Sequence, residues 1–351
     1  MEKERRFDAL TSLRGIFILV IAVHNTMLVH PYLFQSLPGS GFLSLFGGSL
    51  GNSMFFMLSG YGMSYSYRDR IQRHAISFVA FLGKKLRKLY PIYLITNLAA
   101  LLLAVVQYGM SAINLERIAA TLLLNMGGGL AQASPYNTPT WFLCTLFLCY
   151  IVFFLAASCS KTDTRYHCAI ALGILCGYAF LTSGISVSFC QEGNGIGLMN
   201  FFIGCALAEI YPWIKGSARK WLGPVSLVTL LFFLWLLHSY GVGIICGNVD
   251  IAFGFCVCPL ILFLALIDGP CSRILRWKPF VFLGNISGSI FFWHLVVYYG
   301  FSILYALFHP GQDVQEKSYL LYFAGMLVWS TFSHKAEERV RRHRAALPDT
   351  P

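Results

Sequence analysis

The sequence predicts an all-α fold, a polytopic membrane helix bundle of about ten transmembrane helices with both termini cytoplasmic. Three observations carry that reading. Hydrophobic residues make up 57% of the 351 and charged residues only 12%, roughly half the charge of an ordinary soluble domain, and mean hydropathy is +0.64. Apolar runs long enough to cross a bilayer, about 20 residues, recur with short polar breaks. Lysine and arginine gather on alternate breaks, the asymmetry that orients membrane proteins.

The runs follow one another at 13–30, 46–66, 89–108, 139–158, 168–184, 196–212, 221–240, 244–267, 281–307 and 318–334. The first follows a charged hexapeptide, Met1 to Arg6, and no small-residue cleavage site comes after it, so it reads as a retained span. The break between the second and third runs holds Arg68, Arg70, Arg73, Lys84, Lys85, Arg87 and Lys88. The end of the chain adds Lys335, Arg339, Arg341, Arg342 and Arg344, whereas the breaks on the other side hold only Arg117 and Lys317. A shorter apolar stretch, 117–130, contains Met126-Gly-Gly-Gly129. Making it a full span would invert every later break and destroy the asymmetry. It is therefore expected to be re-entrant or interfacial on the outer side.

The chain reads as a single membrane domain, 1–351, with a basic cytoplasmic tail at 335–351 and no internal repeat. The net charge of +11 is that of basic segments facing anionic headgroups. Membrane lipid is thus the expected partner, and nucleic acid is not needed to explain the charge. The eleven cysteines are mostly scattered within the spans and form no Cys-x-x-Cys pairs. They suit small packing groups better than a metal site, and no metal is expected.

Ionisable residues inside spans are candidate functional groups. Here they are Arg14, His24, Glu209, His238, Asp250 and His294. His24 lies eleven residues into the first run, about 16 Å at helical rise, near mid-depth of a core about 30 Å thick. An imidazole there takes or gives a proton near neutral pH, or simply bonds a neighbouring helix. Arg14 sits at the cytoplasmic edge, about 15 Å from His24, so the two cannot touch on one straight helix. It suits either an arriving anion or a plain anchor. Lys84-Lys-Leu-Arg-Lys-Leu-Tyr-Pro91 places Lys84 with Arg87 and Lys85 with Lys88 at i,i+3, a basic face for a polyphosphate or for headgroups. His294, also near mid-depth, shares its run with Ser287 and Ser289. Glu209, Asp250 and His238 lie nearer span ends, where snorkelling or pairing is usual.

Five segments, in order, resemble one family. Phe7-Asp-Ala-Leu-Thr-Ser-Leu-Arg-Gly through His24 is similar to the opening of the acyltransferase-3 family of membrane acyltransferases. Phe55-Phe-Met-Leu-Ser-Gly-Tyr61, the basic run 84–91, Pro139-Thr-Trp-Phe-Leu143 and Leu283-Gly-Asn-Ile-Ser-Gly-Ser-Ile-Phe-Phe-Trp-His294 resemble its later motifs. The resemblance implies an O-acyltransferase that moves an acyl group, commonly acetyl, from cytoplasmic acetyl-CoA to a hydroxyl of a cell-surface or exported glycan or lipid-linked sugar. It implies His24 and Arg14 as catalytic residues. It places Arg68 and Arg87 at the CoA phosphates; Arg14, Lys84 and Lys88 are expected to join them there, and Trp141, Ser287 and His294 to face the substrate. Acyl-CoA is a co-substrate, with no permanently bound cofactor, and the setting is a bacterial inner or plasma membrane.

Three departures stand out. Many members have ten residues between the Arg and the His, and here there are nine, with Asn25 at the position the longer spacing would fill. At 100° per residue Asn25 lies about 20° from the direction of Arg14, and His24 about 80° away. A glutamate that many members carry five residues after the motif tryptophan is Leu146 here. No fused esterase-like domain follows, so the chain is expected to act alone or with a separate partner. A transporter or flippase of glycan or lipid intermediates is the competing reading.

Overall fold

The structure, a computed structural model, describes residues 2–30, 39–124, 133–184, 187, 189–214, 218–240, 248–312, 314–315 and 317–346. These residues form helices α1 (Glu2–Val29), α2 (Ser40–Gln72), α3 (Phe78–Tyr108), α4 (Leu115–Leu122), α5 (Trp141–Cys159), α6 (Asp163–Thr182), α7 (Glu192–Ile210), α8 (Ala218–Tyr240), α9 (Val249–Ala252), α10 (Cys258–Leu266), α11 (Pro270–Leu275), α12 (Lys278–Phe308) and α13 (Ser318–Ala346). A π-helical turn, Phe253–Val257, joins α9 to α10. Among the described residues the only extended pairing is a single bridge between Val187 and Cys190.

Nine helical segments of the described chain are long and apolar enough to span a bilayer, against about ten expected. The tenth, α13, has the length but not the composition. Its apolar face ends where His334, Lys335, Glu337 and Glu338 begin, so only its first half is membrane-like. The basic break after the second run is also not a loop. α2 continues to Gln72, residues 73–77 turn, and Ser77 caps α3 by accepting from the Ala80 N–H at 3.3 Å. Arg68 and Lys84–Lys88 therefore sit on rigid helix extensions.

The stretch expected to re-enter begins as α4. Tyr90 and Tyr93, in the middle of α3, donate their hydroxyls to the carbonyls of Leu122 (2.6 Å) and Thr121 (3.0 Å). α4 thus descends from the end of α3 back to its midpoint. Residues 125–132, including Met126 to Gly129, lie outside the described residues. The chain then runs through 133–140 at the same depth, where Asn137 N–H donates to Asn97 Oδ1 (2.8 Å) and Asn137 Nδ2 to the Phe292 carbonyl (2.8 Å). Non-helical backbone survives at membrane depth only when protein groups satisfy it, and these asparagines do so.

Two helix pairs set the frame: α2 packs along α7, and α1 along α12. The second matters for the site. A Cβ on Gly15 would stand 2.5 Å from Gly284 N, and one on Gly284 would collide with the Thr11 carbonyl. The two backbones touch there, which glycine alone permits, so Arg14 is fixed against the start of the α12 motif.

A cationic intramembrane cavity as candidate active site

A cavity of about 340 Å³ opens between α1, α2, α3, α5, α12 and α13. Arg14 of α1, Lys88 of α3, and His334, Glu337 and Arg341 of α13 carry its charged and titratable lining. Deeper in, Phe142, Phe291 and Phe292 line it, with Phe142 and Phe291 ring centres 5.7 Å apart. Ser287 and Ser289 line the α12 wall. The Ser287 hydroxyl donates to the Gly284 carbonyl (2.7 Å) and that of Ser289 to Glu337 (3.3 Å). Arg341 pairs with the same Glu337 at 3.0 Å, one helical turn away. Three basic side chains against one carboxylate give the cavity a positive field, which low-dielectric walls strengthen. Such a chamber accepts an anion with several charges and an uncharged arm that reaches past the aromatic rings.

The expected site residues are only partly brought together. Arg14, Lys88 and Ser287 share the cavity. Arg87 opens instead into a neighbouring groove with Trp293, Trp329 and Phe332, and Lys88 and Arg341 line both spaces. Lys84 is exposed on the same helix. Lys85 turns inward and lies over the Tyr67 ring at 4.3 Å. Arg68 is elsewhere: its guanidinium pairs with Glu209 and Asp163 and stacks over Tyr166 at 4.7 Å. That network ties α2 to α6 and α7. Ser64 adds a hydrogen bond to Glu209 at 2.9 Å, and His167 lies 3.5 Å from it. Trp141 opens α5 against Gly193 and Phe56.

The two histidines also part company. His24 lies five residues before the end of α1, about 7.5 Å of rise. Its Nδ1 donates to the Leu43 carbonyl at 3.0 Å. The ring lies flat on α2, where a Cβ on Gly48 would come 2.6 Å from Nε2. His294 occupies the middle of α12 and is fully buried. Asn25, not His24, reaches it: Asn25 Nδ2 and His294 Nε2 are 3.0 Å apart. α1 is an uninterrupted helix here, so the nine-residue spacing is not corrected by overwinding, and Asn25 keeps the direction of Arg14.

Glu337 and Arg341 did not stand out in the sequence. They read as tail, yet α13 runs unbroken to Ala346 and brings both into the cavity wall. The available signal was the i,i+4 acid–base spacing of Glu337 with Arg341 and Glu338 with Arg342, the mark of a continuing helix. Asn97 and Asn137 gave no sequence signal. Among the described residues no cluster of His, Cys, Asp or Glu is arranged to hold a metal, and the ten described cysteines are free thiols.

A multi-pass helical membrane protein with a positively charged chamber opening at its basic side is the class that fold and cavity define. Residues 7–333 match the family model described as an acyltransferase domain, and the chain belongs to that acyltransferase-3 family of membrane acyltransferases. Neither a curated relative nor a solved structure matches it.

Proposed function

We propose that this membrane acyltransferase takes its acyl group from a cytoplasmic CoA thioester, acetyl-CoA in the first instance, and passes it to a hydroxyl of a cell-surface or exported glycan. One observation carries the donor half: Arg14, Lys88 and Arg341 converge on one chamber at the basic side. Guanidinium groups bind phosphate oxygens bidentately and ammonium groups bind them as point charges. The phosphates of CoA are held at that mouth, and the uncharged arm extends along Ser287 and Ser289 toward Phe142 and Phe291. Loading from the basic side suits a donor in the cytoplasm, with the chain in a bacterial inner or plasma membrane. Delivery at depth suits a donor and acceptor on opposite faces.

The chemistry balances without a cofactor. The acceptor oxygen attacks the thioester carbonyl as an imidazole takes the hydroxyl proton. The carbon–sulfur bond breaks, and the proton passes to the departing thiolate to give CoA. The products are an acyl ester and the free thiol.

The test is the surface glycan of a strain lacking this chain, compared with the same strain complemented by wild type and by Arg14→Ala. Alkali-labile acyl groups are expected to disappear on deletion, return with wild type and stay largely absent with Arg14→Ala. Unchanged glycan acylation on deletion would remove the glycan as acceptor.

A further inference from the structure

We infer that Gly48 of α2 is a positioning residue for acyl transfer: together with the Leu43 carbonyl it sets the His24 ring so that Nε2 is the nitrogen that takes the acceptor's proton. This rests on the acyl-transfer reading above and specifies how its imidazole is held.

The tautomer follows from one contact. The Leu43 carbonyl lies 3.0 Å from His24 Nδ1 and can only accept, so Nδ1 carries the N–H. A neutral imidazole has one N–H, and Nε2 therefore holds a lone pair. Among the described residues the ring makes no second hydrogen bond. The Leu43 carbonyl is itself fixed, because the Leu43 N–H donates to the Gly39 carbonyl at 3.0 Å in the first turn of α2. A helix carbonyl cannot swing away. It orients the ring, and would stay bonded to the imidazolium formed in the reaction, much as a buried carboxylate does for the histidine of a hydrolase triad. His294 offers no such nitrogen. It is fully buried, its Nδ1 faces the Ile290 and Phe291 carbonyls, and its Nε2 is 3.0 Å from Asn25. His24 is only half-buried.

The space for the ring comes from two adjacent glycines. A Cβ on Gly48 would stand 2.6 Å from Nε2 and 2.8 Å from Cδ2, and one on Gly47 would stand 3.0 Å from the Cβ of His24. The atoms met at Gly48 are the tip of a side chain, so a methyl there displaces the ring rather than the helix. One turn on, a methyl at Gly51 would instead meet Ile21. Gly48 is thus the α2 position that reports on the ring itself. Its place along the bundle also suits the acceptor. Arg14 lines the chamber at the basic side, and His24 lies ten residues further along α1, about 15 Å by rise, toward the other face.

In the step, the acceptor hydroxyl gives its proton to Nε2 while its oxygen attacks the thioester carbon. The carbon–sulfur bond breaks, and the imidazolium returns the proton to the CoA thiolate. Nδ1 keeps its proton on Leu43 throughout. His24 is the catalytic base, and Gly48 acts through it.

The experiment is a double-mutant cycle in inverted membrane vesicles given labelled acetyl-CoA, with release of CoA thiol and alkali-labile label followed together. A displacement of about 1 Å costs about 100-fold. Gly48→Ala is expected to lose about 100-fold in kcat with the acetyl-CoA KM within about twofold. His24→Gln is expected to lose about 10²- to 10⁴-fold. In the His24→Gln background Gly48→Ala should cost no more than about a further twofold, because the ring it displaces is gone. Gly41→Ala, whose methyl meets nothing within 4 Å, is the control on the same helix. If Gly48→Ala does not reach the membrane folded, Gly47→Ala replaces it in the cycle, with an expected loss of about tenfold in kcat that again vanishes beside His24→Gln. A Gly48→Ala kcat within about threefold of wild type overturns the inference. So do losses that multiply in the double variant, the mark of a purely structural glycine, or a His24→Gln rate within about threefold of wild type. Wild-type membranes that release no CoA would instead refute the acyl-CoA reading itself.

Discussion

The Ser289 hydroxyl donates to the Glu337 carboxylate at 3.3 Å, so the middle of α12 is tied to the C-terminal half of α13 inside the cationic chamber. Glu337 is also the partner of Arg341 at 3.0 Å. It therefore acts as an internal anion where the donor's phosphates are proposed to bind. Removing that charge strengthens the positive field, and screening by salt weakens the difference. Glu337→Gln is expected to lower the KM for acetyl-CoA by about fivefold at low ionic strength, an electrostatic gain of about 1 kcal/mol. The gain should shrink in a kinetic series toward 0.5 M salt, roughly where the Debye length drops below contact range.

Arg14 and Lys88 supply complementary halves of the same mouth. Arg14→Lys keeps the charge and loses the planar fork, while Lys88→Ala removes a point charge. Hydrogen bonds to charged groups are worth about 1.5–3 kcal/mol. Each substitution is therefore expected to raise the KM for acetyl-CoA by roughly 10- to 100-fold, with protein amount in the membrane unchanged. Equal kcat loss at unchanged KM would move Arg14 from binding to chemistry.

Arg68 was legible as a basic residue at the edge of the second span but not as a bridge. Its partners, Glu209 and Asp163, are 141 and 95 residues away, a distance over which no local pattern operates. The pair with Glu209 is largely buried, with side-chain exposures of 15% and 14%. Arg68→Ala leaves that carboxylate uncompensated and is expected to cost about 3 kcal/mol. It should read as a lower melting temperature in detergent with the acetyl-CoA KM within about twofold. A raised KM at unchanged melting temperature would return Arg68 to the donor site.

The same contrast runs through the whole site. Composition and charge asymmetry were enough for the helical membrane bundle and its basic side, because both are sums along the chain. Arg14 stood out because an arginine beginning an apolar run is costly unless it is used. The motif spacing even marked Asn25 as the residue in line with Arg14. What the spacing left open was which of two adjacent side chains meets α12. Packing across helices decides that, and the answer is Asn25 to His294 and His24 to Leu43. Glu337 and Arg341 were hidden for a different reason. A helix that leaves the membrane without a break looks, in sequence, like a tail.

Gly284 tests the frame rather than the chemistry. A methyl there meets the Thr11 carbonyl, a backbone atom that cannot rotate aside. Gly284→Ala is expected to separate α1 from α12 and cost about 1–3 kcal/mol, seen as a lower melting temperature. Acetyl-CoA turnover should fall with it, because Arg14 and the α12 wall are positioned by that contact. Gly288, whose added methyl meets nothing within 4 Å, is the control, and Gly288→Ala should leave stability within about 0.5 kcal/mol of wild type.

The most direct test of acyl transfer is thioester consumption. Inverted vesicles carrying the wild-type chain are given acetyl-CoA labelled in the acetyl group, and free thiol is measured beside label that alkali releases from glycan. The expected result is CoA release matched one for one by ester-linked label, both lost in Arg14→Ala. Glycan or lipid crossing the membrane while acetyl-CoA stays intact would contradict it.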